Sequence, residues 1–191
     1  MEIQEVERTA IAEYARISIA FEVREIAEVT EQPPGSGLFE LAPRRVEAPY
    51  IKDYDADGGP ETWASRFDLA HWRFFIATEN GRRVGGATFV FRAPDMDTLR
   101  GREDVALLWD IRVGFHARGH GVGSALVREV ARWSASQGAV GLEVETQTIN
   151  VPACRFYERQ GFVLREVNRG AYPTLPDETQ LIWYKELRLS S

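Results

Sequence analysis

Residues 117–123 read ARGHGVG, placing glycines at 119, 121 and 123 behind Arg118, and the helically spaced run SALVREVARW follows at once. Bare backbone at a helix start leaves unpaired N–H groups at the positive end of the helix dipole, and glycines without Cβ let a phosphate approach them. The stretch Arg118, Gly119, His120, Gly121, Val122, Gly123 and Ser124 is therefore expected to cradle a pyrophosphate, with Arg118 as its charged partner. The plain alternative is a tight strand-to-helix turn. The loop lacks the Lys-Ser/Thr ending of a nucleotide P-loop, and G-x-G-x-G is not the spacing of a dinucleotide turn. Carboxylates flank it: Asp110 in VALLWDIRV before the loop, and Glu143 and Glu145 in AVGLEVET after it. Asp110 or Glu145 could take a proton from a reacting group, directly or through a water, or each could belong to a solvated strand face.

Those groups need elements to hold them. VALLWDIRV alternates Val105, Leu107, Trp109, Ile111 and Val113 on one face, which predicts a strand. Val122, Ala125, Leu126, Val130 and Trp133 make a helical stripe after the glycines, and Gly138 is placed to end it. AVGLEVET alternates again, Pro152 suits the first turn of a short helix ACRFYERQ ending at Gly161, and FVLREV and QLIWYKEL are two last strands around NRGAYPTLPDE. Upstream, the runs ISIAFEVREIAEV, LFELAPRRV, WRFFIAT and RVGGATFVF read as strands between Pro/Gly clusters, with Asn80-Gly81 as a hairpin signal. The fold class is α/β, with a mixed sheet, a crossover helix after the glycines and an antiparallel pair at the end.

Composition narrows the function classes. The chain has 191 residues, suiting one domain over 1–191, and a charged fraction of 27% is that of an ordinary globular protein. A formal charge of −6, from 29 acidic and 23 basic residues, argues against a nucleic-acid or anionic-membrane partner and favours small cations. The single cysteine excludes an internal disulfide, MEIQEVERTA lacks the features of a signal peptide, and no apolar run reaches membrane-spanning length, so the cytoplasm is expected.

The glycine loop resembles the R-x-x-G-x-G motif of the GNAT superfamily of acyl-CoA-dependent N-acyltransferases, through Arg118, Gly121 and Gly123. A second motif of that family, N-x-x-A-x-x-x-Y-x-x-x-G-F, is matched by Asn150, Ala153, Tyr157, Gly161 and Phe162. Two motifs in the right order inside a strand–helix–strand–helix pattern are far more specific than either alone. The segment from Gly141 to Tyr184 and the upstream VEAPYIKDYD also resemble streptothricin acetyltransferases. Trp109 stands ahead of Asp110 where those enzymes often carry an acidic pair.

This resemblance implies a GNAT-like fold with a central mixed, mostly antiparallel sheet flanked by helices, residues 1–70 on the substrate side and 71–191 forming the acetyl-CoA-binding core. It implies acetyl-CoA as co-substrate, held by the loop, by the main chain of Ile111, Arg112 and Val113, and by Asn150, Ala153, Phe156 and Tyr157. It makes the Tyr157 phenol the proton donor to the departing CoA sulfur and main-chain N–H near Val113 the support for the oxyanion. A primary amine has a pKa near about 10.4, so a base is needed, and Asp110 and Glu145 are the candidates. Glu143, Tyr50 and Tyr172 are expected to bind the acceptor, a small cationic amine such as a streptothricin-like antibiotic, in a monomer or homodimer. A protein N-acetyltransferase and a non-catalytic acyl-CoA-binding module are the alternatives.

Three other signals are set aside. DYDADGG opens like a calcium loop, but its twelfth position is Ala64 rather than a glutamate, so a turn that lends negative charge is expected. His71, His116 and His120 lack metal-ligand spacing, and no metal is expected. Cys154 lies on a helix face without a nearby histidine and reads as a small buried apolar group.

Overall fold

The structure, a computed structural model, describes residues 1–93, 96–175 and 177–187, without the side chains of Asp57 and Asp97. Two compact units are built from interleaved stretches, one from Met1–Ala20, Asp53–Leu142 and Leu187, the other from Phe21–Lys52 and Glu143–Glu186.

In the first unit four strands run in the order β1 (Glu2–Val6), β4 (Trp72–Glu79), β5 (Arg82–Phe91), β6 (Val105–Val113), each antiparallel to its neighbour. The expected Asn80-Gly81 turn joins β4 to β5. Short helices α1 (Ile11–Tyr14) and α2 (Trp63–Arg66) and the long helix α3 (Val122–Ser136) complete the unit. The stripe of α3 that becomes buried is Val122, Leu126, Val130 and Ser134, four residues apart along the helix, with Val127 beside it, while Trp133 meets Phe89 edge-on at 5.1 Å.

Strand β6 departs from the predicted alternation. Thr88 pairs with Asp110 and Phe89 with Leu108, so Trp109 is an extra residue and the strand bulges there. Val105, Ala106, Leu107 and Leu108 are all buried, so the strand is covered on both faces before the bulge. The displaced Trp109 ring joins a cluster in which its centroid lies 5.2 Å from Trp72, 5.1 Å from Phe67 and 6.5 Å from Trp63. Beyond it Asp110 and Arg112, two apart, share one face.

Two glycines in β5 allow close approach. A Cβ at Gly85 would lie 2.8 Å from Val122 Cγ1, and one at Gly86 would lie 2.6 Å from Tyr14 Cε2. The bare backbone at 86 is what lets the Tyr14 ring settle against the sheet.

In the second unit β2 (Phe21–Glu31) and β3 (Phe39–Lys52) form an antiparallel pair, and β7 (Gly141–Gln147), β9 (Gln180–Glu186) and β8 (Val163–Asn168) lie in that order. Helix α4 (Val151–Arg159) follows β7, with Pro152 in its first turn and Asn150 Oδ1 accepting from Ala153 N at 3.2 Å. Ala27 N donates to Thr148 O at 2.8 Å and Arg155 meets Glu25 at 3.0 Å, tying β2 to the β7–α4 region. Among the described residues no helix is long and apolar enough to cross a membrane.

The glycine packing has a measurable consequence. Gly86→Ala forces a Cβ into Tyr14 and the Phe75 carbonyl and is expected to cost about 1–3 kcal/mol in urea unfolding. Gly114→Ala, whose Cβ would meet nothing nearer than 3.5 Å, is the control. Equal stability of the two variants would contradict this packing.

Candidate active site

In the first unit, β6 ends at Val113 and the chain turns through a short 3-10 segment, Phe115–Ala117, into the glycine loop. Gly119 and Gly121 sit at φ 80° and 84°, and Gly121 is the N-cap of α3 with no side chain capping the helix. Among the described residues, the N–H groups of Gly119, Gly121, Val122, Gly123 and Ser124 donate to no main-chain carbonyl. A Cβ at Gly121 would meet no atom within 4 Å, so the cradle is open.

The cradle is narrower than the sequence suggests. The N–H groups of Arg118 and His120 turn back to Phe115 O and Ala117 O, both at 3.4 Å. The Arg118 guanidinium, expected at phosphate, instead donates from Nε to Val113 O at 3.0 Å and from NH2 to Ala20 O at 2.9 Å and Ser18 O at 3.5 Å. Its geometry here is that of a brace between the strand end and the 18–20 segment, because a planar fork of donors satisfies several carbonyls at once. His120 is exposed on the loop.

Asp110, a candidate base, is already engaged. Arg112 Nε reaches Asp110 Oδ1 at 2.8 Å and NH2 reaches Oδ2 at 2.9 Å, and the Tyr14 hydroxyl donates to the same Oδ1. NH1 and NH2 of Arg112 also bind Asp55 at 2.6 and 2.8 Å, and NH1 reaches Ile17 O at 3.2 Å. The Arg112 side chain is 1% exposed. Burial alone would lower its pKa, but the bonds from Asp55 and Asp110 more than reverse this, so it stays charged. Burial, then the Asp110 charge, holds the Tyr14 phenol well above its usual value. Asp110 is thus occupied by a guanidinium on both its oxygens. Asp55, read from sequence as charge available to a substrate, faces Arg112, and Asp53 caps its own turn by accepting from Asp55 N at 3.0 Å. The Asp57 side chain lies outside the described residues.

In the second unit two predicted residues come together. The Tyr172 hydroxyl donates to Glu145 Oε1 at 2.5 Å and accepts from Gln147 Nε2 at 3.0 Å, and Gln180 Nε2 donates to Glu145 Oε2 at 2.7 Å. Among the described residues no lysine or arginine pairs with Glu145. Burial, then the Glu145 charge, pushes the Tyr172 phenol far up, so it remains a donor. Glu143 is 8% exposed, which places it inside β7 packing rather than on an open polar face. Tyr50, on β3, is exposed, and its phenol is raised by partial burial and by the Glu178 charge against an opposing Lys52.

Tyr157 lies on α4, 4% exposed, with its ring 5.1 Å from Phe156 and 5.3 Å from Phe162 in edge-on contacts. Asn150 and Ala153 form the cap of that helix. Cys154 packs beneath it with Sγ 3.6 Å from Thr146 Oγ1, which also accepts from Trp183 Nε1 at 2.9 Å. Sequence reasoning missed the pairing of Arg112 with Asp55 and the roles of Tyr14, Gln147 and Gln180. Gln147 lies in the Glu145-Thr146-Gln147 stretch of the segment that resembles streptothricin acetyltransferases, but Tyr14, Asp55 and Gln180 carry no motif, and only the i, i+2 spacing of Asp110 and Arg112 on a strand hinted at contact.

Residues 39–162 match the model of the acetyltransferase (GNAT) family. The chain is 33% identical over 168 residues to the streptothricin acetyltransferase of Escherichia coli, covering 86% of this chain and 84% of that one. It is 28% identical over 152 residues to streptothricin acetyltransferase A of Bacillus subtilis (strain 168), covering 78% and 80% of the two chains. Its fold matches a crystal structure from Bacillus anthracis str. Ames in complex with acetyl coenzyme A, at a TM-score of 0.78 and 23% identity over 97% of this chain and 98% of that one. It also matches nourseothricin acetyltransferase at a TM-score of 0.75 and 21% identity over 98% of both. The chain belongs to the GNAT acetyltransferase family. Its fold is the α/β type expected, with a mainly antiparallel mixed sheet and flanking helices, and its class is that of an acetyl-CoA-dependent N-acetyltransferase.

The buried cysteine supplies a pH test. Burial pushes the Cys154 thiol up to about 11, so at neutral pH it is almost wholly protonated and unreactive. Alkylation by iodoacetamide is expected to be negligible in the folded protein at pH 8 and to rise only as pH climbs toward that value or the protein unfolds. Rapid labelling at pH 8 under native conditions would contradict the burial.

Proposed function

We propose that this acetyltransferase passes the acetyl group to a primary amine of a small cationic acceptor of the streptothricin class, with residues 1–191 acting as one catalytic domain. The observation that carries the reading is the Glu145–Tyr172 pair, a carboxylate bonded by a phenol and two amides and, among the described residues, without a cation, in a chain similar over most of its length to streptothricin acetyltransferases. Such a carboxylate attracts an ammonium group and can accept its proton. Asp110, held on both oxygens by Arg112, serves structure. The net charge of −6 agrees with a cationic acceptor.

The open N–H groups between Gly119 and Ser124 fit a pyrophosphate, since they stand at the start of a fifteen-residue helix with no capping side chain. Acetyl-CoA, when bound, supplies the acetyl group as an activated thioester. Ile111 to Val113 offer main chain to its arm, and Asn150, Ala153 and Phe156 belong to the same binding set. The acceptor nitrogen loses two protons over the reaction, one ending on the CoA sulfur and one in solvent. Tyr157 delivers the first and Glu145 takes the second. Tyr50 contributes to the acceptor side, whereas the buried Glu143, expected there from the sequence, is left to β7 packing.

The test is turnover of streptothricin followed by thiol release and by the mass of the acetylated product. Tyr157→Phe keeps the ring packing and removes the hydroxyl, so kcat is expected to fall by about a hundredfold or more with acetyl-CoA affinity nearly unchanged. Wild-type kcat in that variant, where chemistry limits the rate, would remove Tyr157 from the mechanism. Gly121→Val places a side chain at φ 84° in the cradle and is expected to abolish acetyl-CoA binding by calorimetry, which unchanged affinity would refute. Acetyl-CoA binding without thiol release for any amine would favour a binding module, and peptide amines outcompeting streptothricin would favour a protein acetyltransferase.

A further inference from the structure

The segment between β8 and β9 carries Tyr172 and has little regular structure of its own. Leu175 N donates to Tyr172 O at 2.9 Å and Glu178 N to Leu175 O at 3.0 Å, making successive turns. Its end near β9 is held by a reciprocal contact, Thr179 N to Thr148 Oγ1 at 3.1 Å and Thr148 N to Thr179 O at 3.0 Å. Its start is touched by Arg169 NH2 donating to Val29 O at 3.2 Å. Between these lies an ion pair, Lys52 Nζ to Glu178 Oε1 at 2.5 Å, with side chains 17% and 7% exposed.

An ion pair buried to that degree gives up the hydration of both charges, and its attraction roughly repays that loss, so net stability is a poor reason for it. Geometry is a better one. Lys52 is the last residue of β3, and Glu178 lies two residues before β9, so the pair ties the end of a long hairpin opposite its turn to the Tyr172 segment.

We propose that the Lys52–Glu178 ion pair is a latch that holds the Tyr172 segment in place, so that the Tyr172 hydroxyl stays on Glu145 and presents that carboxylate to the acceptor. Both are positioning residues. The inference rests on the reading of Glu145 as the acceptor-side base. A segment released from the latch displaces Tyr172, and a misplacement of about 1 Å in a positioning group costs up to about a hundredfold in rate.

The experiment compares Lys52→Met, Glu178→Gln, Lys52→Arg and the double variant Lys52→Met/Glu178→Met with streptothricin as acceptor, alongside thermal unfolding and the KM for acetyl-CoA. The double variant removes both charges of the pair together and keeps the test valid if the single variants unfold. The expected result is a fall of about ten- to a hundredfold in kcat/KM for streptothricin in Lys52→Met, Glu178→Gln and the folded double variant. The KM for acetyl-CoA should be unchanged, and Lys52→Arg should recover most of the activity. A folded double variant with wild-type kcat/KM for streptothricin overturns the latch, as does an equal loss for both substrates. Glu145→Gln, run in parallel, separates the two ideas. Wild-type turnover in Glu145→Gln defeats the reading of the site itself, whereas an inactive Glu145→Gln beside fully active latch variants defeats only the latch.

Discussion

The buried guanidinium of Arg112 is the constraint on which the first unit depends. It makes five hydrogen bonds, to Asp110, Asp55 and Ile17, from a side chain that is 1% exposed. Every donor of the fork is used, which is the condition under which a buried arginine is tolerable. Those bonds join the end of β6 to the 17–20 segment and to the Asp53–Asp57 turn. Arg118 repeats the pattern a few residues later on Val113, Ser18 and Ala20. The strand end that leads into the glycine cradle is thereby held from the side, and the loop can leave its own N–H groups unpaired without collapsing.

Two carboxylates that look alike in sequence acquire different chemistry from their neighbours. Asp110 follows a bulge at Trp109 that directs it, with Arg112, into the buried network under Tyr14. Glu145 lies on β7, where its partners are a phenol and two amides. Hydrogen bonds from neutral donors orient a carboxylate and leave its charge for an approaching cation, whereas a bidentate guanidinium already neutralises it.

The glycines divide in the same manner. Gly85 and Gly86 are fully structural, because a Cβ at either would collide with Val122 or Tyr14. Gly119 and Gly121 face open space, so nothing in the packing calls for a missing side chain at those two positions. Their positive φ angles shape a turn whose free N–H groups are its chemical content.

The sequence by itself determined the family and most of the elements, though β1, α1 and α2 gave no signal that was read. Alternation and helical stripes are local properties of the chain, so the strands from Phe21 to Phe91, helix α3 with its end near Gly138, and the β7–α4–β8–β9 order were legible, as were the two motifs around Arg118 and Tyr157. Only the tertiary structure decided the partners. The bulge at Trp109 depends on the register of β5 against β6, which no single strand encodes, and it broke the simple alternation read from Val105 to Val113. Whether Asp110, Arg118 or Glu145 is available for chemistry depends on Arg112, Asp55, Ala20 and Tyr172. Arg112 stands two residues from Asp110, but Asp55, Ala20 and Tyr172 lie far from their partners in the chain and meet them only on folding, since an ionisable group's character is set by the charges and donors within a few ångströms of it.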